Sequence, residues 1–246
     1  MNDQQKAGAR NPHQGLLRRD FLKISGVLYL VAAVGCGHKT VRQRPLGPIK
    51  YPTEKVDPAK LEFPPSQGYL LVDVAKCQGC LSCMLSCSLA HEGRENLSLA
   101  RIQVIQDPFQ KFPADISLKQ CRQCVQPACV KVCPTGALHV DRDNGNIRTI
   151  RMDLCEGCFS CVEACPFQTS RSIWNFEEER AIKCDLCADT PFWDVEGGPQ
   201  GLQACVEVCP VGAIRLTRNI PLQRGEAGYQ VNLRGEAWAI MDYAID

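Results

Sequence analysis

Sixteen of the seventeen cysteines fall into four quartets between Cys77 and Cys209, and their spacing constrains the fold more than any other feature. The first quartet is "CQGCLSCMLSC", with Cys77, Cys80, Cys83 and Cys87. The second is "CRQCVQPACVKVCP", with Cys121, Cys124, Cys129 and Cys133. The third is "CEGCFSCVEACP", with Cys155, Cys158, Cys161 and Cys165. The fourth is split: "CDLC" at Cys184 and Cys187 is completed by "CVEVCP" at Cys205 and Cys209. Two-residue gaps keep the backbone wrapped round one small object. The three-residue gap puts the last cysteine one helical turn beyond its neighbour, at i+4. Small residues such as Gly79 and Gly157 let the backbone approach, so that its N–H groups can reach sulfur.

Three chemistries use this many thiols. Disulfides fit poorly, because a triple knuckle packs three thiols into seven residues. Zinc sites usually use two separated C-x2-C pairs, which leaves a structural zinc scaffold as the alternative. The run C-x2-C-x2-C-x3-C-P is that of bacterial ferredoxins, where three cysteines hold one [4Fe–4S] cluster and the fourth holds another. The third quartet fits this run in full. The second and fourth widen the gap before the third cysteine, and the first has Ser88 where the others have proline. All sixteen cysteines are read as iron ligands.

The rest of the chain adds a route and a frame. Arg18 and Arg19 precede a 12-residue apolar run, Ile24 to Gly35, the length of a signal-peptide core and too short for a membrane span. From Cys36 to Gly68 the sequence is rich in proline and is expected to be an extended tether. "YLLVDV" at 69–74 reads as a strand leading into the first quartet. "ALHVDRDNGNIRTI" (Ala137–Ile150) reads as a hairpin turning at Asn144-Gly145. "CPTGAL" and "CPVGAI" match each other and point to an internal duplication. Net charge is +1, and beyond residue 35 acidic side chains slightly outnumber basic ones, so no nucleic-acid partner is expected.

At "CRQCVQPACVKVCPTGAL", "CEGCFSCVEACPFQ" and "KCDLCAD…ACVEVCPVGAI" the chain resembles the four-cluster ferredoxin-type subunits of molybdopterin oxidoreductases. Iron–sulfur chains of dimethyl sulfoxide, tetrathionate, polysulfide and thiosulfate reductases are of this type. The resemblance runs from about Tyr69 to Leu216. It implies an α+β fold of two duplicated ferredoxin-like units, with short β-hairpins and helices around four [4Fe–4S] clusters. It also implies four ligand sets that cross between quartets. Cys77, Cys80 and Cys83 would join Cys209. Cys121, Cys124 and Cys129 would join Cys165. Cys155, Cys158 and Cys161 would join Cys133, and Cys184, Cys187 and Cys205 would join Cys87. An inner unit of about 119–176 would then sit beside an outer unit built from 69–118 and 177–218.

The implied role is a non-catalytic relay of single electrons within a hetero-oligomer. Its partners would be a catalytic molybdopterin (or tungstopterin) subunit and an integral-membrane, quinone-interacting subunit. A tungsten aldehyde oxidoreductase or a multihaem cytochrome complex are the other settings. No radical motif, phosphate loop or spare acid–base group suggests an enzyme. "RRDFLK" (Arg18–Lys23) resembles the twin-arginine signal, which exports proteins already folded and loaded with cofactor to the periplasmic side of the membrane. "AVGC" resembles a lipobox, so Cys36 is either acylated, removed by nearby cleavage, or kept in an uncleaved anchor. His91, His139, Trp174 and Trp193 are read as packing or surface residues, "FEEER" (176–180) as a solvated face, and 219–246 as an arm that docks on a partner.

Overall fold

The computed structural model describes residues 51–225 and 228–234. The twin-arginine motif and Cys36 lie outside the described residues. The cysteine loops need short stiff elements at either end, and the described residues supply them as four antiparallel ribbons of four-residue strands. Strand β1 (Tyr69–Val72) pairs with β8 (Ile214–Thr217), Tyr69 opposite Thr217, which brings the two ends of the cysteine region together. β2 (Gln103–Gln106) pairs with β3 (Ile116–Lys119), β4 (Leu138–Asp141) with β5 (Ile147–Ile150), and β6 (Ser172–Asn175) with β7 (Arg180–Lys183). Two-stranded ribbons of this length are marginal alone, so they depend on what they pack against.

Each quartet contributes a helix. These are α1 (Ser82–Glu92), α2 (Ala128–Lys131), α3 (Ser160–Glu163) and α4 (Ala204–Glu207). Helix α1 packs against α4, and α2 against α3. Helix α1 stops at Gly93, whose φ of 67° lets its N–H reach back to the Leu89 carbonyl at 3.0 Å. The cores are built around thiols. Leu70, Val72, Met84, Ile102, Leu118, Ile147, Leu186 and Ile214 are buried together with Cys83, Cys87, Cys121, Cys184 and Cys205. A second group joins Leu138, Cys161 and Ala181 to Cys129, Cys133 and Trp174.

Three sequence expectations are refined. The strand expected over 69–74 ends at Val72, because Asp73 leaves the ladder and accepts the Ala75 amide on its carboxylate at 3.0 Å. The 137–150 hairpin forms, but its left-handed residues are Gly145 and Asn146 rather than Asn144 and Gly145, so the loop is longer than a two-residue turn. The segment read as an unpacked tether is already tied down at Tyr51, whose hydroxyl bonds Thr217, and at Pro52, whose carbonyl accepts the Leu222 amide at 2.9 Å.

The described part of the C-terminal segment packs on its own chain. The Val72 amide donates to the Tyr229 carbonyl and the Val231 amide donates to the Val72 carbonyl, both at 2.8 Å. Strand β1 is therefore flanked on both edges, which is why all four of its residues are buried. Tyr229 is wholly buried and its hydroxyl donates to the Arg122 carbonyl at 2.6 Å. We refer to this segment as the strap.

Candidate metal centres

The first cysteine of each quartet is followed, two residues on, by a residue in the left-handed region. These are Gly79 (φ 65°), Gln123 (46°), Gly157 (69°) and Leu186 (57°). A left-handed backbone turns successive N–H groups inward. The Gly79 amide lies 3.5 Å from Cys77 Sγ and the Gln123 amide 3.3 Å from Cys121 Sγ. For Gln and Leu this conformation costs about 1–2 kcal/mol, a cost that must be offset by the loop's surroundings.

The last cysteine of every quartet also accepts a backbone amide. Arg101 N–H donates to Cys87 Sγ at 3.3 Å and Leu138 N–H to Cys133 Sγ at 3.3 Å. Arg171 N–H donates to Cys165 Sγ and Ala213 N–H to Cys209 Sγ, both at 3.2 Å. Amide donors stabilise charged sulfur and suit thiolate ligands.

The thiols gather across quartets. Cys133 lines one cavity with Cys155, Cys158 and Cys161, whose apolar walls include Leu138, Ile150, Phe159, Trp174 and Ala181. Burial pushes the Cys83 thiol up to about 12, helped by charge at Cys77, Cys209 and Cys80. Cys124 is pushed up to about 12 by burial and then by Cys121, with Cys129 and Cys165 adding to it. Cys205 is raised by burial and then by Cys187, Cys87 and Cys184. Each trailing cysteine thus acts on cysteines of a different quartet. Thiols that penalise one another's ionisation are stabilised together by a core of positive charge, as iron provides.

Of the sixteen described cysteines, Cys80 and Cys158 are exposed. Both thiols are lowered, first by the hydroxyls of Ser82 and Ser160. Among the described residues no three His, Cys, Asp or Glu side chains stand close enough to share one metal ion. The donor set, the amide-to-sulfur bonds and the cavity fit [4Fe–4S] clusters.

Polar groups that sequence reasoning passed over lie around these thiols. Lys183, buried at the end of β7, donates from Nζ to Cys121 Sγ. Burial opposes its charge, but Cys121 and Cys129 outweigh burial and its pKa is raised. Arg148 is wholly buried on β5 within range of the charges of Cys121, Cys124 and Cys129. Among the described residues its Nε has no hydrogen-bond partner, and neither has the Tyr69 hydroxyl. Burial raises the Tyr69 pKa to about 12, with the charge of Arg148 lowering it and that of Cys124 raising it. On the far side of Cys184, Asp185 meets His91 Nε2 at 2.9 Å and Arg101 at 3.1 Å, all largely out of water. Burial is the largest influence and opposes the charge on His91, yet the bonds to Asp185 and Cys87 and the Asp185 charge together outweigh it and raise its pKa to about 9. His91 Nδ1 bonds the Cys87 carbonyl at 2.8 Å, so the residue read as packing also braces a thiol loop. A hint is present in "KCDLC", where a cation and a carboxylate flank the leading cysteine.

The known 4Fe–4S dicluster domain model matches residues 113–219. The chain is 34% identical over 154 residues to the putative electron transport protein YsaA of Escherichia coli, covering 60% of this chain and 87% of that protein. It is 34% identical over 157 residues to the thiosulfate reductase electron transfer subunit PhsB of Salmonella typhi, covering 62% and 77%. It is 32% identical over 163 residues to the formate dehydrogenase iron–sulfur subunit of Haemophilus influenzae, covering 59% of this chain and about half (49%) of that one.

Proposed function

Because the chain belongs to the 4Fe–4S dicluster family of iron–sulfur electron-transfer subunits, we propose that it relays single electrons through four [4Fe–4S] clusters held by its sixteen described cysteines. A [4Fe–4S] cluster supplies one-electron oxidation and reduction when bound. The ligand sets are Cys77, Cys80, Cys83 and Cys209; Cys121, Cys124, Cys129 and Cys165; Cys155, Cys158, Cys161 and Cys133; and Cys184, Cys187, Cys205 and Cys87. The observation that carries this is the cavity shared by Cys133 and the third quartet, which a fold of four separate quartets would not produce.

The sets fall into a line. The first and fourth share the α1–α4 pair, and the second and third share α2–α3. The two halves meet where Cys184 feels the charge of Cys121 and the Gln123 side chain donates to the Cys184 carbonyl at 2.9 Å. The exposed cysteines, Cys80 and Cys158, belong to the two end sets. This is the arrangement of a wire with a port at each end, made of two ferredoxin-like units. A catalytic pterin subunit at one port and a quinone-linked membrane subunit at the other complete the reading. In this reading the chain reaches the periplasmic side through the twin-arginine segment, with Cys36 acylated, removed, or kept in an uncleaved anchor.

The test is to replace Cys133 and Cys158 separately by alanine and follow the reduced protein by EPR, with iron and sulfide counted per chain. Both variants are expected to lose the same one of four signals. Loss of different signals overturns the crossed ligand sets.

A further inference from the structure

We propose that Lys183 is a positioning cation that holds up the reduction potential of the cluster at Cys121, Cys124, Cys129 and Cys165, so that the central step of the wire favours an electron on that side. The inference rests on the ligand sets proposed above.

The two sets that meet at the junction differ in the charge around them. Beside Cys121, Lys183 Nζ donates to sulfur, and wholly buried Arg148 is within range of the charges of Cys121, Cys124 and Cys129. The strongest charges acting on Cys124 and Cys129 are other cysteines and Lys183. The Gln123 amide and the Arg171 amide add donors on Cys121 and Cys165. Beside Cys184 and Cys187 stands the Asp185 carboxylate, matched by Arg101 and His91, with Glu92 on the other side of Arg101. Among the described residues neither Lys183 nor Arg148 is ion-paired with a carboxylate, whereas Arg101 and His91 are.

Adding one electron adds one unit of negative charge and moves no proton at Lys183. A fixed cation in a water-excluded layer stabilises that added charge. Hydrogen bonds to sulfur act in the same direction, and both are recognised controls of cluster potential. Lys183 makes both with one group. Its backbone also runs directly into Cys184, so a single residue touches both sets.

The experiment uses the full chain, loaded with clusters under anaerobic conditions and titrated with dithionite and mediators under EPR. Lys183→Met is expected to keep iron and sulfide at the unaltered level and to lower one midpoint. At a fixed potential the reduced-to-oxidised ratio of that cluster should fall at least tenfold, which is 59 mV for a one-electron couple. Lys183→Arg, which keeps the charge, should recover most of the shift. Cys165→Ser identifies the affected signal as belonging to this set. Unchanged midpoints with full iron content overturn the proposal, as does movement of a signal that Cys165→Ser leaves alone. Should Lys183→Met lose iron, Lys183→Gln is read by the same outcomes. Loss of one cluster in both neutral variants would assign Lys183 to holding the cluster and overturn its role in setting potential. Fewer than four clusters in the unaltered chain would overturn the ligand sets themselves.

Discussion

Gly157 shows how closely single residues are bound to the thiol loops. Its φ is 69°, and a Cβ built there would stand 2.3 Å from the Glu179 carbonyl oxygen on the next ribbon. Gly157→Ala therefore meets both a strained backbone and a fixed wall, at a cost of about 2 kcal/mol or more. The expected result in a chain of this size is an apparent Tm lower by about 4–8 °C, with faster loss of iron on dilution. An unchanged melting curve would show that the loop can move away from β7. The charged residues of the junction belong to the same scale. Nothing in the order of the side chains shows that Lys183 reaches Cys121, 62 positions earlier, since that contact depends on which face of β7 is turned inward.

Among the elements, those that turn on the cysteines themselves are the most legible in the sequence. Spacing at i+4 announces α1–α4, and alternating residues around Asn144-Gly145 announce β4 and β5. Nothing announces the ribbon β2–β3, because "QVIQ" and "ISLK" carry too short a pattern to stand out, and only pairing gives it meaning. The strap is hidden for a related reason. A segment without cysteines looks independent of the clusters, yet its Tyr229 is as buried as any core residue and sits on the Arg122 carbonyl next to Cys121. Of the candidate site, the sixteen cysteines proposed as ligands stand out by their spacing. The cations and hydroxyl around them are not, since each comes from an element whose position depends on the fold. Tyr229→Ala should cost about 3 kcal/mol by emptying a fully buried aromatic site. Chemical denaturation of the loaded protein checks this. Stability unchanged within about 0.5 kcal/mol would mean that the strap is held elsewhere.

At the scale of the whole molecule, a line of the four proposed ligand sets with exposed cysteines at its ends is an arrangement for moving electrons. In the intact complex, Cys155→Ala should reduce quinol-linked turnover at least tenfold while leaving dye-linked activity of the catalytic subunit within twofold, provided the subunits still assemble. Loss of both activities in an assembled complex would show that this chain does more than conduct. Export is tested independently. Replacing Arg18 and Arg19 with lysines should leave cluster-loaded protein in the cytoplasm, and fractionation that still finds it outside would assign export to another signal.

The pairing of β1 with β8, clasped by the strap, also sets an order in time. The first ribbon cannot close, and Cys87 cannot meet Cys184, Cys187 and Cys205, until more than a hundred further residues have left the ribosome. At synthesis rates of about 5–20 residues per second, the first quartet remains an open thiol loop for several seconds or longer. The middle of the chain, with its ligands close together in sequence, is complete well before that. Iron–sulfur loading should therefore begin at the centre of the wire and finish at the half that joins the beginning of the chain to its end. A nascent chain stalled before β8 would then be expected to hold two clusters, with the first quartet still open to thiol reagents.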